Sequence, residues 1–156
     1  METIPSTKSL VLTYNDKTQV FTVNAMMRLI ASIAPAFQLQ GNSDIESAMV
    51  DGWVSFVWSS LEVPLEALEI DLALVDVVRA DIDTSLGLVE HHLQERMFLV
   101  GDMISLADIS LAVVLNKAES SGVLANKTSN ILRWYKYVTQ QSFFQKSMDR
   151  QLLVEP

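Results

Sequence analysis

Few residues in this chain are equipped for bond-making chemistry, and their spacing argues against most of it. Of 156 residues none is Cys and 2 are His, so a thiolate nucleophile, a thiolate zinc site and a disulfide framework are excluded. His91 and His92 are adjacent. On a helix they diverge by about 100° and cannot share a metal as an i, i+4 pair would. Asp81-Ile82-Asp83-Thr84-Ser85 imitates the start of a calcium loop, yet Leu86 stands where the loop needs Gly and His92 where it needs Glu. Asp71, Asp76, Asp81 and Asp83 form the solvated face of an apolar-periodic helix rather than an acid–base set. No G-x-x-x-x-G-K-[ST], G-x-G-x-x-G or G-x-S-x-G run occurs, which leaves nucleotide and acyl chemistry without a handle. We therefore expect no catalytic residue, no cofactor and no metal.

The bulk properties narrow the class further. A length of 156 residues fits one domain, or one domain with a small appendage. Hydrophobic residues at 49% and a mean hydropathy of +0.25 exclude a disordered tail. No run of eighteen apolar residues and no basic-then-apolar start are present, so neither a membrane span nor a secretory signal is expected, and a cytoplasmic location is. Eleven basic residues against nineteen acidic give a net charge of −8. Such a chain repels polyphosphate, and no direct nucleic-acid binding is expected of this domain.

The elements that would position any site read as a short β-rich start followed by helices. Ser9–Tyr14 and Thr18–Val23 flank Asn15-Asp16-Lys17 and predict a β-hairpin. Asn24 is a candidate cap for a helix running to Pro35. Ser43 and Glu46 make a capping box for a second helix to about Glu62, stopped by Pro64. A third apolar-periodic stretch covers about 71–95, a fourth helix follows Ser105, a fifth spans Ser129–Gln140, and a last one holds Phe143–Leu152.

On the second helix, Asp44, Ser47, Asp51, Ser55, Ser59 and Glu62 share a polar stripe. The apolar residues occupy an arc of roughly 180°, wider than the roughly 100° a surface helix needs. That surplus either lies under neighbouring helices or faces another subunit. Trp58, falling in the polar stripe, favours a partner. The candidates for this first interface, with the preceding helix, are Met27, Arg28, Met49, Trp53 and Trp58.

Met97 to Ala112 reads MFLVGDMISLADISLA. Ser105 is placed as an N-cap, Asp108 can reach back to its amide, and Ile104 with Ile109 can form a hydrophobic staple. This stretch resembles the helical domain of the glutathione transferase superfamily, where the box starts a buried central helix and serves folding. Asn130-Ile131-Leu132-Arg133-Trp134-Tyr135 followed by Gln140-Gln141-Ser142-Phe143 resembles the version found in family members of the translation machinery: elongation factor 1 gamma and domains of aminoacyl-tRNA synthetases and their scaffold proteins. The likeness runs from about Ser9 to Met148. It implies a mainly α fold, a glutathione transferase C-terminal-like helical bundle over 39–156, preceded by a truncated thioredoxin-like β-β-α piece over 1–38.

Departures from the family pattern bear on function. The strands and helix that would carry a thiol-activating Tyr, Ser or Cys are missing, and Lys8-Ser9-Leu10 stands where the family places a cis-proline. Thr22-Val23 replaces the acidic-Ser pair that holds glutathione. Tyr14, mid-hairpin, reads as a packing residue. The resemblance assigns Arg133, flanked by Trp134 with Tyr137 one turn on, to a second interface with a homologous domain. The other reading of Arg133 is an internal pair with an acidic residue. The expected function is a non-catalytic module joining aminoacyl-tRNA synthetases and their scaffold proteins through homologous glutathione transferase-like domains, as homo- or heterodimers, with any tRNA bound by a longer parent chain. The alternatives are an elongation factor 1 subunit domain and a degenerate transferase that still binds a small thiol.

Overall fold

The computed structural model of the chain describes residues 11–14, 18–70, 75–120 and 128–151. Strands β1 (Val11–Tyr14) and β2 (Thr18–Phe21) pair antiparallel, Val11 opposite Phe21 and Leu12 opposite Val20. Ser9, Leu10 and the Asn15-Asp16-Lys17 turn lie outside the described residues. The chain then swings into helix α1 (Val23–Ile33) at Thr22, whose φ of 70° is unusual for a residue with a Cβ. Thr22, not Asn24, is the cap: its hydroxyl accepts from the Ala25 amide at 3.4 Å. Asn24 already sits inside the first turn, too far along to serve the free amides that precede it. Pro35 ends α1 and opens a short 3-10 turn, Pro35–Phe37.

Helix α2 (Asp44–Val57) starts at Ser43, whose hydroxyl accepts from the Glu46 amide at 3.2 Å. The Glu46 carboxylate reaches one residue further than a standard box, to the Asn42 amide at 2.6 Å. It fills the space between two left-handed glycines. A Cβ on Gly41 (φ +85°) would lie 2.5 Å from that of Glu46, and one on Gly101 (φ +62°) 3.3 Å from its carboxylate.

Pro64 does not stop the helix. From Trp58 to Glu62 the coil widens into a π turn, with the Val63 amide reaching the Trp58 carbonyl, and α3 (Val63–Ile70) follows directly. The wider turn accommodates the missing Pro64 N–H and its ring, which a regular helix resists. The stretch expected as one helix over 71–95 is α4 (Val75–His92), with 71–74 outside the described residues. Among the described residues three more helices follow: α5 (Leu106–Ser120), α6 (Ser129–Thr139) and α7 (Ser142–Gln151).

Helix α5 is the axis of the core. Leu106, Ala107, Leu111, Ala112, Val114, Leu115 and Ala118 are buried on it, an apolar face wider than the roughly 100° stripe of an ordinary surface helix. Around it close Val50, Val54 and Val57 of α2, Ile82, Leu86, Val89 and Leu93 of and just after α4, and Ile131, Trp134 and Val138 of α6. Each large side chain among them contributes on the order of 1.5–3 kcal/mol of burial. The Leu106 amide also donates to Leu39 O at 2.9 Å, fixing the start of α5 to the segment between α1 and α2.

Candidate functional site

The motif at the head of α5 closes on a single carboxylate. Asp108 is 0% exposed. Its Oδ2 accepts from the Ser105 amide and from the Ser105 hydroxyl, both at 2.9 Å, and its Oδ1 from the Leu99 amide at 3.0 Å and the Trp134 indole N–H at 2.8 Å. Ser105 therefore donates its hydroxyl to the carboxylate rather than offering it to a helix amide. Four donors occupy the lone pairs of Asp108, so its chemistry is consumed in joining the 99–105 loop, α5 and α6.

That joint corrects the expectation for Trp134, which is 1% exposed and bonded inward. It is a core residue and presents nothing to a partner. Its neighbour Arg133 is exposed, but its Nη2 donates to Leu93 O at 2.6 Å and Arg96 O at 2.9 Å. These carbonyls belong to the turn that follows α4, and the guanidinium ties that turn to α6. The internal acceptor is backbone, not a carboxylate. Tyr137 is 42% exposed and meets Phe98 edge-on at 5.7 Å. Leu132, also partly exposed, lies one residue before Arg133 and extends this surface.

Glu90 is a functional residue of the fold that sequence reasoning missed. Its carboxylate accepts from the Thr128 hydroxyl, the Asn130 amide at 3.1 Å, the Asn130 side chain at 2.7 Å and the Ile131 amide at 3.0 Å. It thus caps α6 from another helix. Burial alone would raise its pKa, but the bonds from Thr128, Ile131 and Asn130 outweigh this and lower it.

The five residues expected at one interface divide between two sides of α2. Arg28 forms an ion pair with Asp51, and with Met27, Asn24 and Ser55 they line a shallow pocket between α1 and α2. Met49 and Trp53 instead line a groove toward α4 with Gly52, Phe56 and Leu88. Trp58, 44% exposed, is nine residues past Met49 and so about 180° around the helix from it. The Trp53 ring packs on Phe56 at 5.5 Å and on His92 at 4.6 Å, and His92 Nε2 bonds Leu99 O at 2.8 Å. His91 is exposed, and among the described residues no group of three or more His, Asp or Glu is placed to hold a metal.

A second feature was not anticipated. Phe21, Val23, Ile30, Ile33 and Phe37 are each more than half exposed. Val23, Ile30 and Ile33 recur at helical spacing, which is the signal that could have revealed this strip.

A β-hairpin leading through one helix into a bundle built round a central, carboxylate-anchored helix is a mainly helical, glutathione transferase-like architecture. Solved glutathione transferases share it. A bacterial one, BphK in a ternary complex, superposes with a TM-score of 0.82 at 24% identity, over 90% of this chain and 72% of that one. Poplar glutathione transferase F1 gives 0.76 at 20% identity, over 90% and 73%. Residues 45–142 match the glutathione S-transferase C-terminal domain, and the chain belongs to that family. It is 30% identical over 118 residues to elongation factor 1-gamma-A of Xenopus laevis, covering 69% of this chain and 27% of that protein. To glutathione S-transferase psoE of Aspergillus fumigatus it is 28% identical over 153 residues, covering 90% and 65%. To the bifunctional glutamate/proline–tRNA ligase of Drosophila melanogaster it is 24% identical over 123 residues, covering 79% and 6%. The chain thus spans less than two thirds of the length of these last three relatives.

Proposed function

We propose that this domain is a non-catalytic assembly module of the translation machinery, docking onto other glutathione transferase-like domains of aminoacyl-tRNA synthetases or their scaffold proteins in a cytoplasmic complex. The observation that carries the reading is the set of exposed apolar residues on and around α1: Phe21, Val23, Ile30, Ile33 and Phe37. Large apolar side chains left exposed along one helix and its flanks mark a surface that a partner covers. The likeness to an elongation factor 1-gamma and to a tRNA ligase supports the setting. In this reading the first contact is made by α1, with Met27 and Arg28, and by the Trp58 side of α2. The second is made by the outer face of α6 around Tyr137, with Arg133 at its rim. Any tRNA is bound by other parts of a parent protein.

Light scattering of the domain alone and mixed with glutathione transferase-like domains of synthetases tests this. A defined dimer or heterocomplex that Ile30→Asp disrupts is expected, and a monomer in every mixture would refute it. The likeness to psoE over 90% of the chain favours one second reading, a degenerate transferase holding a small thiol. Retention on glutathione-agarose with elution by free glutathione would establish that reading instead.

A further inference from the structure

The sheet is the least supported part of the fold. Among the described residues it holds two strands, β1 and β2, facing each other in register from Val11↔Phe21 to Tyr14↔Thr18 without a bulge. A two-stranded hairpin standing alone is marginal in water. In an antiparallel pair every second residue turns its N–H and C=O to the neighbouring strand, and the residues between turn theirs away. Among the described residues, no backbone bond outside the β1–β2 ladder reaches residues 11–14. Strand β2 leads directly into α1 and packs against it, which leaves β1 as the freer edge.

Edges of this kind are normally guarded. Natural sheets blunt them with Lys, Pro, bulges or inward-pointing charges. Val11-Leu12-Thr13-Tyr14 and Thr18-Gln19-Val20-Phe21 contain no charged residue, no Pro and no Gly. The two faces of the hairpin also differ. Leu12 and its opposite Val20 are partly buried, whereas Val11, Thr13, Gln19 and Phe21 are exposed. An incoming strand therefore meets a defined pattern, an apolar position beside Leu12 and a polar one beside Thr13.

Hydrogen-bonding chemistry identifies the occupant. A row of donors and acceptors at strand spacing is matched by another extended backbone. A second copy fits this edge poorly. Opposed residues of antiparallel strands share a face, and alternate residues lie on opposite faces. A two-fold axis must therefore set residues of like parity against each other, and it cannot match a four-residue strand with itself along its whole length. Each copy also carries a charge of −8, and like net charges oppose association. We propose that the free edge of β1 takes up an extended segment of a partner protein as a third strand, with an apolar side chain beside Leu12 and a hydroxyl or amide side chain beside Thr13. The inference stands apart from the assembly reading above, since it uses neither α1 nor α6 and its occupant needs no glutathione transferase-like fold.

The test uses the intact chain, which has no Cys of its own, and a fluorescein-labelled Lys-Thr-Val-Thr-Val-Thr-Lys peptide. Its twin is N-methylated at two adjacent central residues, which blocks both of its edges and keeps its side chains. Anisotropy should show binding of the first peptide and at least tenfold weaker binding of the twin. A version with a thiopyridyl-activated Cys for the central Thr is then offered to Thr13→Cys and, separately, to Gln19→Cys, two exposed positions that face each other across the hairpin. A strand added to β1 sets its side chain about 4.5–5.5 Å, Cβ to Cβ, from position 13. Position 19 lies a further strand spacing away, about 4.7–4.9 Å more. The mixed disulfide should form at least fivefold faster with Thr13→Cys, each rate being normalised to that thiol's reaction with hydroxyethyl disulfide. Circular dichroism should match the wild type for both variants. No binding of the first peptide, equal binding of the twin, or a reaction at Gln19→Cys as fast as at Thr13→Cys would overturn the proposal. So would a disulfide-linked dimer of Thr13→Cys formed without peptide, since the edge would then hold a second copy.

Discussion

Replacing Asp108 by Ala removes one carboxylate and abandons four donors at once. The Ser105 hydroxyl can rotate away, but the Leu99 and Ser105 amides and the Trp134 indole N–H are fixed by the backbone and by the packing of a side chain that is 1% exposed. Each buried donor left without a partner costs about 1–3 kcal/mol, so three of them bring about 3–9 kcal/mol. Water entering the vacated space relieves part of this, which leaves an expected loss of about 3–5 kcal/mol. Domains of this kind are stable by only about 5–15 kcal/mol in total. In urea, at a slope of about 1–3 kcal/mol per molar, the unfolding midpoint should fall by roughly 2 M. Far-UV circular dichroism is the right readout, because Trp134 fluorescence reports on the mutated site itself. Asp108→Asn should be nearly as damaging, since its amide nitrogen must face donors. A double-mutant cycle with Trp134→Phe should return a coupling of about 1.5–3 kcal/mol, the value of a hydrogen bond to a charged group. A loss below about 1 kcal/mol for Asp108→Ala, or strict additivity with Trp134→Phe, would refute the claim that this carboxylate joins α5 to α6.

Glu90 has a lowered pKa in the fold, so its contribution is whole above the unfolded carboxyl value and is lost as pH falls below about 4. Thermal unfolding between pH 6 and pH 3 should therefore fall more steeply for the wild type than for Glu90→Gln, and parallel profiles would contradict the capping role. The Tyr135 hydroxyl is pushed up to about 12 by burial, by the Glu119 charge and by its bond to that group. A raised value stabilises fully below the unfolded value near 10 and fades as pH climbs toward about 12. Tyr135→Phe should flatten this alkaline limb, and an ultraviolet titration finding every tyrosine ionised together near pH 10 would be the contrary result. Arg133→Ala should lower stability by about 1 kcal/mol through its two partly exposed carbonyl contacts, with Arg133→Lys only a partial rescue. Unchanged urea stability together with lost partner binding would make Arg133 an interface residue alone.

What the chain discloses locally, it disclosed well. The hairpin pairing, the Ser43 start of α2 and the reach of Asp108 to Ser105 all lie within three to ten residues of their partners. The misplacements have two causes. One is competition between local rules: Thr22 and Asn24 are both capping types, and only the backbone swing at Thr22 decides between them. Likewise Pro64 reads as a stop until the π turn ahead of it absorbs the ring. The other is distance along the chain. Glu90 meets its donors 38 to 41 residues away, Trp134 meets Asp108 after 26, and Arg133 finds carbonyls 37 and 40 residues back. No periodicity encodes such pairs. An Arg beside a Trp on an amphipathic helix looks the same whether its guanidinium faces a partner or a neighbouring helix end.

These three long-range contacts converge on one element, and that bears on how α6 can act. Glu90 holds its first turn, Asp108 holds Trp134 in its middle, and Arg133 binds carbonyls of the turn after α4. A helix of 11 residues is marginal by itself in water, yet here its inner face is fastened by charged groups at three points. Its outer face, with Leu132, Lys136 and Tyr137, is consequently presented in one orientation, which lowers the entropy a partner must overcome on docking. The same geometry separates the residues that can report on such a surface from those that cannot. Substituting Arg133 perturbs fold and surface together, whereas Lys136 is exposed and Tyr137 rests on Phe98 from outside. A charge reversal at Lys136 therefore probes recognition with the helix still anchored, and it is the substitution to set against Arg133→Ala in any binding measurement on this face.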